Sequence, residues 1–547
     1  MEHTMTATPS DLERGAVDRV CGPSPKPDGR TSRLGFHQAQ QLRHLLLPAL
    51  WALQDGVGGV SEGGLAYVSD RLLVPPAEAY GVATFYSLLL VDEVKERTTY
   101  VCDDIVCRRT EGFSLGDDET ASPCLGQCDR APARLQMTAG EVALSITGLQ
   151  LPMNALAEGF PRQITGLIGV IDPESLESYE DAGGFAALAT ARGWGADWVI
   201  QQVEQSGLTG RGGAAFPTGL KWKLVSEEAG PRHLVCNADE SEPGTFKDRY
   251  LMEGDPFSVI ESVALAAFAT GSAHAFIYVR GEYPLATARL QHAIEQSAHH
   301  LDGVTIELRR GAGAYICGEE TALFNSIEGF RGEPRQKPPY PTVSGLFGRP
   351  TAVNNVETLA HVLRIVRDGA DAYVASPTRL FSLSGDVGTP GVVEAPVGAS
   401  VEDVIAAAGG VVGELSAILI GGAAGSFAAP DVLSLSLSND AARERDVSLG
   451  SGVIIPLNTT TDFPDLVARI AAFFRDESCG QCVPCRVGTI RQEELVHRAR
   501  SGSVMELDLL TELQQVMADA SICGLGHTAT NAVRSALVLG LLGGADA

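Results

Sequence analysis

Residues 478–488 read SCGQCVPCRVG, and residues 521–526 read SICGLG. Three cysteines follow one another at C-x2-C spacing in the first stretch, and a fourth cysteine lies in the second. Three closely spaced thiolates hold three corners of a cubane and a distant one closes it, which predicts a [4Fe–4S] cluster. Zinc is the alternative, although zinc usually takes paired C-x2-C hooks. The predicted ligands are Cys479, Cys482, Cys485 and Cys523.

A second set of four cysteines lies nearer the start of the chain, at Cys102, Cys107, Cys124 and Cys128. Two loops carry two thiols each, which suits a [2Fe–2S] cluster in which each pair holds one iron. A zinc site or an empty module are the alternatives for this less specific spacing. Cys236 and Cys317 have no such partners, and we expect them to be small buried residues and not nucleophiles.

Composition narrows the class of protein. The 547 residues, 44% of them hydrophobic, predict several globular domains. The net charge of −27 argues against binding to nucleic acid or to an anionic membrane. The first residues do not resemble a signal peptide, no stretch of about 18 apolar residues is uninterrupted, and the odd count of eleven cysteines does not indicate disulfides. We therefore expect a cytoplasmic protein without membrane insertion.

Alternation of strand-like and helical runs predicts an α/β multidomain protein. HLVCNA, AFIYVR and TIELRRG are strand-like and alternate with long helical segments, which indicates a sheet covered by helices. ARLQMTAGEVALSI is typical of two short strands joined at Ala139-Gly140. The predicted segments are a flexible tail (1–35), a helical segment with an α/β module (36–150), an α/β domain (160–375), a small α+β unit (376–456) and a helical domain (460–547).

Glycine-rich and acidic loops within the α/β domain are candidates for ligand binding. GLTGRGGAAFPTGLKW (207–222) brings backbone amides close to a phosphate or a flat ring, although glycines serve turns as well. VCNADESEPGTFKDR (235–249) follows a buried-looking strand, where α/β sheets bind ligands; an acidic loop is otherwise a solvated surface. GAGAYICGEETAL (311–323) places two acids at a helix start, where they also serve as caps.

In this order, and with PRQKPPYP (334–341) and the first cysteine stretch behind them, these motifs resemble a known family. It is the flavin-bearing subunit of NADH:ubiquinone oxidoreductase (complex I) and its relatives in NAD-reducing formate dehydrogenases and hydrogenases. VPPAEAYGVATFYSLL (74–89) and the early cysteines resemble the small [2Fe–2S] subunit of the same complexes. The resemblance implies a thioredoxin-like [2Fe–2S] module, an FMN- and NAD(H)-binding α/β domain, a ubiquitin-like β-grasp insert and a C-terminal helical bundle with the [4Fe–4S] cluster.

The resemblance also implies roles for single residues. Residues expected to hold FMN are Gly210, Arg211, Gly212, Gly213, Lys221, Asn237, Asp239, Glu240, Asn354 and Asn355. Gly318 and Glu319 are expected to bind a cofactor. Residues expected to face the nicotinamide nucleotide are Phe216, Glu242, Glu320, Lys337 and Tyr340, with Glu242 and Glu320 nearest the chemistry. Only sixteen residues separate Cys107 from Cys124, so we expect one helix of the thioredoxin-like module to be missing.

The function implied is electron transfer between NAD(H) and a partner subunit. A flavin converts the two-electron chemistry of NAD(H) into the single electrons that clusters accept. The fused layout and the VCDDIVCR stretch favour the diaphorase subunit of an NAD-dependent formate dehydrogenase, beside an Fe–S catalytic subunit with a molybdenum- or tungsten-pterin. The alternatives are the equivalent subunit of an NAD-reducing hydrogenase, the NADH dehydrogenase module of complex I, and a non-catalytic scaffold with zinc in the cysteine sites.

Overall fold

A computed structural model of the chain describes residues 7–22, 41–140, 160–501 and 507–542. The described helices are α1 Asp11–Cys21, α2 Leu46–Val57, α3 Glu62–Leu72, α4 Pro76–Ala83, α5 Leu176–Asp181, α6 Ala186–Trp194, α7 Ala196–Gln205, α8 Thr218–Glu227, α9 Lys247–Gly254, α10 Pro256–Thr270, α11 Pro284–Gln296, α12 Glu320–Ile327, α13 Val356–Asp368, α14 Ala370–Ala375, α15 Val401–Ala407, α16 Asn439–Glu444, α17 Phe463–Asp476, α18 Val483–Arg500, α19 Leu507–Ala520, α20 Gly524–Thr528 and α21 Asn531–Val538. The described strands are β1 Arg97–Cys102, β2 Glu119–Ser122, β3 Arg134–Thr138, β4 His233–Ala238, β5 His274–Val279, β6 Thr305–Arg310, β7 Thr351–Asn355, β8 Thr378–Leu383, β9 Gly391–Pro396, β10 Leu415–Ile420, β11 Ser426–Ala428 and β12 Val453–Asn458.

Helix α1 corrects the expectation of a flexible tail over residues 1–35. Ser10 and Glu13 form a capping box at its start, in which each side chain bonds the other residue's backbone amide. Val17 on this helix is fully buried, and α1 packs against α2 and α3. The polar composition of the region predicts a tail without regular structure. The helix forms because tertiary packing stabilises it. The rest of that predicted tail lies outside the described residues.

The [2Fe–2S] module is a short three-stranded sheet with order β2-β1-β3. Strands β1 and β2 are parallel, and β3 runs antiparallel to β1. Between Cys107 and Cys124 the chain forms one 3-10 turn and β2 but no α-helix, as the short spacing predicts. The first of the two strands predicted around Ala139-Gly140 is β3, and the second lies outside the described residues.

The flavin domain contains a four-stranded parallel sheet of order β6-β5-β4-β7. Strands β4, β5 and β6 are the three predicted runs. Strand β7, TAVNN, was not predicted, because its two asparagines are polar and are not typical of a buried strand. Helix α10 contacts the sheet and several other helices, and is buried along nearly its whole length. The carboxyl ends of all four strands therefore share one edge, where ligands bind in such sheets.

The β-grasp insert and the helical bundle complete the chain. The insert is a five-stranded sheet of order β11-β10-β12-β8-β9 with the helix α15, which fits the predicted small α+β unit. In the bundle, α17 packs against α18, and α18 against α19. Within the described ranges, no helix has the length and apolarity required to cross a membrane.

Candidate functional site

The glycine-rich loop (207–222) forms an exposed arch above the carboxyl edge of the parallel sheet. The candidate cleft is the space at this edge, between the arch and the ends of the strands. Gly212, Gly213 and Phe216 are exposed, whereas the following helix α8 begins in the buried residue Thr218. Gly213 has φ +113°, a conformation that requires glycine. A β-carbon on Gly212 would lie 3.2 Å from the β-carbon of Asn355, so the loop passes close over the end of β7.

Buried side chains hold the arch in place. The backbone amide of Arg211 donates to Thr358 Oγ1 over 2.9 Å, and its guanidinium is buried against the Tyr373 hydroxyl. Lys221 Nζ donates to the Val353 carbonyl over 2.9 Å, and burial lowers the pKa of this amine. The loop is thereby fixed to α13 and β7. The Arg211 side chain anchors the arch from beneath, and the role of this loop residue in holding FMN stays a prediction.

Both predicted asparagines at the end of β7 also support the arch. Asn354 Oδ1 accepts from the buried indole of Trp222 over 2.8 Å. Asn355 caps α13 through the Glu357 amide, and its Nδ2 donates to Asp248. Their side chains therefore position the loop and the helix next to the cleft.

The carboxylates of the acidic loop after β4 are buried or half-buried. Asn237 Nδ2 donates to the Gly318 carbonyl over 2.9 Å. This bond joins the acidic loop to GAGAYICGEETAL (311–323), the third motif of the domain. Asp239 Oδ2 is buried beside Gly318 and accepts no hydrogen bond from a described residue. Burial raises the pKa of Asp239 to about 8. An unsatisfied acceptor of this kind fits a site that a polar ligand completes.

Both carboxylate oxygens of Glu240 are hydrogen-bonded within the protein. Glu240 is buried, and its oxygens accept from Thr245 Oγ1 and from the amides of Asp248 and Arg249, within 2.8–2.9 Å. The Tyr283 hydroxyl donates to it as well, over 3.1 Å. Its contact with FMN stays a prediction and would require one of these bonds to be exchanged, because the start of α9 already uses both oxygens.

The two glutamates of the third motif have different tasks. Glu319 caps α12 by accepting from the amides of Thr321 and Ala322, at 2.9 and 3.0 Å. Glu320 has no such backbone partner among the described residues. Lys337 Nζ lies 3.0 Å from Glu319 and 2.8 Å from Glu320, and these carboxylates raise its pKa. Glu320 is thus the acid of this pair that is free to exchange its partner.

Two aromatic side chains of the predicted site, Phe216 in the glycine-rich loop and Tyr340 in the PRQKPPYP stretch, are exposed. Phe216 is 43% exposed and Tyr340 is 59% exposed, unusual values for large apolar rings. The ammonium of Lys221 lies 5.7 Å from the Phe216 ring centroid. Exposed rings at a cleft provide stacking surfaces for a flat ligand.

Glu242 links the flavin domain to the β-grasp insert, and its predicted contact with the nucleotide stays a prediction. Its Oε2 accepts from the Tyr315 hydroxyl over 2.7 Å, and its Oε1 accepts from the Ala424 amide in the β-grasp insert over 2.8 Å. Burial raises the pKa of Glu242 to about 7. Both oxygens are occupied, so contact with a nucleotide would require one of these bonds to be exchanged.

The four cysteines of the bundle line one small cavity, together with Ile316 and Pro334 of the flavin domain. Burial raises the pKa of Cys485 to about 11 and that of Cys523 to about 12. Thiols of this kind become thiolates when a metal binds them, which fits a cluster site. The cavity lies beside the third motif, since Glu319 is near enough to contribute to the raised pKa of Cys523.

The four cysteines of the first module also come together. All four are buried, and Cys124 Sγ lies 3.5 Å from Cys128 Sγ. The amides of Gly126 and Ala133 each point at a sulfur over 3.4 Å, from Cys124 and Cys107 respectively. Four clustered sulfurs with amide donors fit the ligand set of a [2Fe–2S] cluster.

Sequence reasoning missed the residues that join this module to the flavin domain. Arg280, buried at the end of β5, donates to the Cys124 carbonyl over 2.6 Å and to the Glu240 carbonyl over 2.7 Å. Arg249 lies 2.6 Å from Asp129 and donates to the Gly126 carbonyl. The position of Arg280 directly after a buried strand was the only signal in the sequence for this role. Its partner Cys124 lies 156 residues away in the chain, so the contact leaves no local sequence pattern.

Comparisons with known families agree with this architecture. Residues 203–364 match the Nuo51 FMN-binding domain, and residues 465–538 match the NADH-ubiquinone oxidoreductase-F iron-sulfur binding region. Residues 35–118 match a thioredoxin-like [2Fe-2S] ferredoxin, and residues 380–419 match the SLBB domain. The fold and the sites together define a flavin- and cluster-bearing component of NADH dehydrogenases.

Individual relatives make the assignment more specific. The F subunit of NADH-quinone oxidoreductase from Aquifex aeolicus is 40% identical over 390 residues, which cover 66% of this chain and 89% of the relative. The HndC subunit of the NADP-reducing hydrogenase from Solidesulfovibrio fructosivorans is 38% identical over 395 residues, 68% of this chain and 80% of the relative. A solved NAD+-reducing [NiFe]-hydrogenase in the H2-reduced state superposes with a TM-score of 0.76 at 32% identity, covering 91% of each chain. The chain belongs to the family of NADH-quinone oxidoreductase F subunits.

Membership confirms the cofactors predicted from the motifs: FMN, NAD(H), a [4Fe–4S] cluster and a [2Fe–2S] cluster. It also confirms diaphorase-type oxidoreductase activity, with electron transfer through FMN and iron–sulfur clusters. The relatives are subunits of larger complexes. None of these relatives is a formate dehydrogenase.

Proposed function

We propose that this chain is the NAD(H)-handling subunit of an NAD-dependent formate dehydrogenase. It passes electrons between NAD(H) and the iron–sulfur chain of a molybdenum- or tungsten-pterin subunit. The observation that carries the electron path is the shared cavity, in which the bundle cysteines meet Ile316 and Pro334 from the motifs that border the flavin cleft. A cluster held there would lie next to the cleft. The formate assignment itself rests on the fused layout and on the VCDDIVCR stretch.

Roles follow for the residues of the cleft. When bound, FMN supplies the conversion between hydride and single-electron transfer. The exposed arch at Gly210, Gly212 and Gly213 would bring backbone amides to the flavin, and Asp239 Oδ2 would accept from one of its N–H groups. Lys221 would contribute positive charge toward the phosphate, since only one carbonyl now accepts from it among the described residues.

The mouth of the cleft would hold the nicotinamide nucleotide. Phe216 and Tyr340 would stack on its rings and exclude water. Glu320 and Lys337 would exchange their mutual contact for hydrogen bonds to ribose hydroxyls. Glu242 would act from the β-grasp side, where the Tyr315 hydroxyl holds it in place.

A hydrogenase partner is the second candidate. The solved NAD+-reducing [NiFe]-hydrogenase chain covers 91% of this chain, the N-terminal module included, so a fused layout is compatible with hydrogen as well as formate. Only the partner's metal distinguishes the two complexes.

The test is purification of the native complex through an affinity tag on this chain. Metal analysis of the co-purified catalytic subunit should find molybdenum or tungsten in amounts comparable to this chain, and formate should reduce NAD+. Nickel with hydrogen-dependent NAD+ reduction would overturn the formate proposal and leave the electron path intact. A complex that contains neither FMN nor iron would overturn both.

A further inference from the structure

Three metal-ligating side chains meet on the surface of the flavin domain, outside the redox sites. Glu180 lies near the end of α5, and His299 and His300 lie in the turn between α11 and β6. One carboxylate oxygen and two imidazole nitrogens, one from each residue, all lie within 4.8 Å of one another. The turn leads into the amino end of β6, so this cluster is at the edge of the sheet opposite the flavin cleft.

The geometry of His300 is fixed before any ligand binds. Its ring stacks on Phe185 with centroids 4.0 Å apart and planes 5° from parallel. Arg192 donates to the His300 carbonyl over 2.9 Å, and the His300 amide donates to the Ser297 carbonyl over 2.8 Å. Its Nε2 then lies 2.7 Å from Glu180 Oε1.

The supporting ring of Phe185 is itself held in an unusual conformation. Phe185 has φ +62°, a region that large side chains rarely adopt. The buried Glu261 accepts from its amide over 2.7 Å, and Tyr179 packs edge-on against its ring. Backbone strain of this kind persists where surrounding contacts enforce it. Those contacts place a rigid aromatic surface beneath the imidazole of His300.

The ligand set identifies the class of ion. Imidazole nitrogens together with a carboxylate are ligands for zinc and neighbouring divalent transition metals, whereas calcium and magnesium take oxygen ligands. Bonds of about 2.0–2.1 Å in a tetrahedron place neighbouring ligand atoms about 3.3 Å apart. Glu180 Oε1 lies 2.7 Å from His300 Nε2 and 3.8 Å from His299 Nε2, so small side-chain adjustments reach that spacing.

We propose that Glu180, His299 and His300 bind one Zn²⁺ ion, with water in the open fourth position. The ion would join α5 to the turn before β6, two segments about 120 residues apart in the chain. All three side chains are at least partly exposed, so the ion can enter from solvent. Since the site is remote from the cleft, the role we assign to it is structural.

The experiment uses the complete, cluster-loaded flavoprotein, stripped of loose metal and equilibrated with Zn²⁺. Bound zinc is counted by mass spectrometry, and visible absorption reports any cluster loss. Wild type should hold one more zinc than the Glu180→Gln and His300→Asn variants. The affinity of each variant should be at least about tenfold weaker, since even changes to outer-shell partners of metal sites cost about 10–100-fold.

His292→Asn is the matched control, because His292 is a nearby exposed histidine whose Nε2 contacts the Glu174 carbonyl and lies outside the cluster. This variant should bind zinc as wild type does. An anomalous zinc peak between Glu180 and His300 in crystals of the flavoprotein would give direct support. Equal zinc uptake by wild type and both ligand variants would overturn the proposal, as would the absence of binding to wild type.

Discussion

Single cysteines decide where electrons can go. Cys482→Ser should remove or cripple the [4Fe–4S] cluster while FMN remains bound, because the ligands lie in a bundle separate from the glycine arch. Iron content and low-temperature EPR of the reduced protein measure the effect. Cys21→Ser, at the end of α1 and outside both cysteine sets, is the matched control and should keep all its iron. An unchanged reduced-cluster signal in Cys482→Ser would contradict the ligand assignment.

Glu320 is the residue on which we base nucleotide preference. A carboxylate that accepts from ribose hydroxyls repels a 2′-phosphate, so NADH should be preferred over NADPH by at least about tenfold, roughly 1.4 kcal/mol. Glu320→Gln should shrink that ratio of kcat/KM values, and Glu307→Gln, an exposed acid on β6, should leave it unchanged. Equal kcat/KM values for NADH and NADPH in wild type would refute the argument.

For single residues, the sequence predicts which side chains lie close together but not the role of each one. Both cysteine sets come together as their spacing indicates. The spacing does not show that Glu240 accepts hydrogen bonds from the amides at the start of α9. Nor does it show that the Glu320 side chain has no backbone partner among the described residues. That distinction depends on the local backbone path, which places donors around one carboxylate and leaves the next one near solvent.

Among the elements, strands with a clear strand-like sequence pattern are predicted correctly, whereas elements of polar composition are missed. The three strand-like runs HLVCNA, AFIYVR and TIELRRG form β4, β5 and β6 as predicted. Strand β7 and helix α1 were missed. The capping-box pattern of Ser10 and Glu13 was the available signal for α1, and the Pro- and Ser-rich residues after it obscured that signal.

The buried cap of α10 makes the stability of the flavin domain depend on pH. Asp255 accepts from the Ser258 amide, and burial raises its pKa from 3.8 to about 6. Between these values the folded protein retains a proton that the unfolded chain has released. The contribution of Asp255 to stability therefore falls as pH rises through this window and is constant above about pH 6.

Asp255→Asn keeps a good helix cap and removes this titration. Relative to wild type, the variant should gain about 1 kcal/mol more stability at pH 7.5 than at pH 5. Thermal release of fluorescent FMN at the two pH values measures the difference. Asp462→Asn, at the exposed cap of α17, tests whether losing any cap carboxylate has the same effect. A gain that does not grow with pH would show that Asp255 does not retain its proton.

In the whole molecule, close packing joins the [2Fe–2S] module to the flavin domain. Gly126 has φ +65°, and a β-carbon there would overlap the Tyr283 hydroxyl. Gly126→Ala should separate the two parts and lower the [2Fe–2S] content while the cubane and FMN remain. Gly112→Ala is the matched control, since Gly112 has φ +84° but nothing within 4 Å of an added β-carbon. Equal [2Fe–2S] loss in both variants would attribute the effect to backbone strain and not to packing.

If the bundle cluster is the single exit from the flavin, as the cavity lined by its four cysteines leads us to propose, dye reduction and reaction with the partner should respond differently to its loss. Purified alone with its cofactors, the chain should pass electrons from NADH to ferricyanide or a viologen dye, and should oxidise neither formate nor hydrogen. Cys523→Ser should spare part of the dye reduction, because small dyes collect electrons at the exposed cleft itself.

In the complex with its partner, the same variant should abolish NAD+ reduction, because on the proposed path the partner's electrons reach the cleft through the cavity that Cys523 lines. The comparison of dye reduction with NAD+ reduction, on one preparation, separates damage to the flavin from damage to the path. If the variant complex still reduced NAD+ at near the normal rate, electrons would have to enter by another route. The buried cysteines of the first module, joined to the flavin domain through Arg280, would provide it, and the cluster they hold would be part of the main electron path.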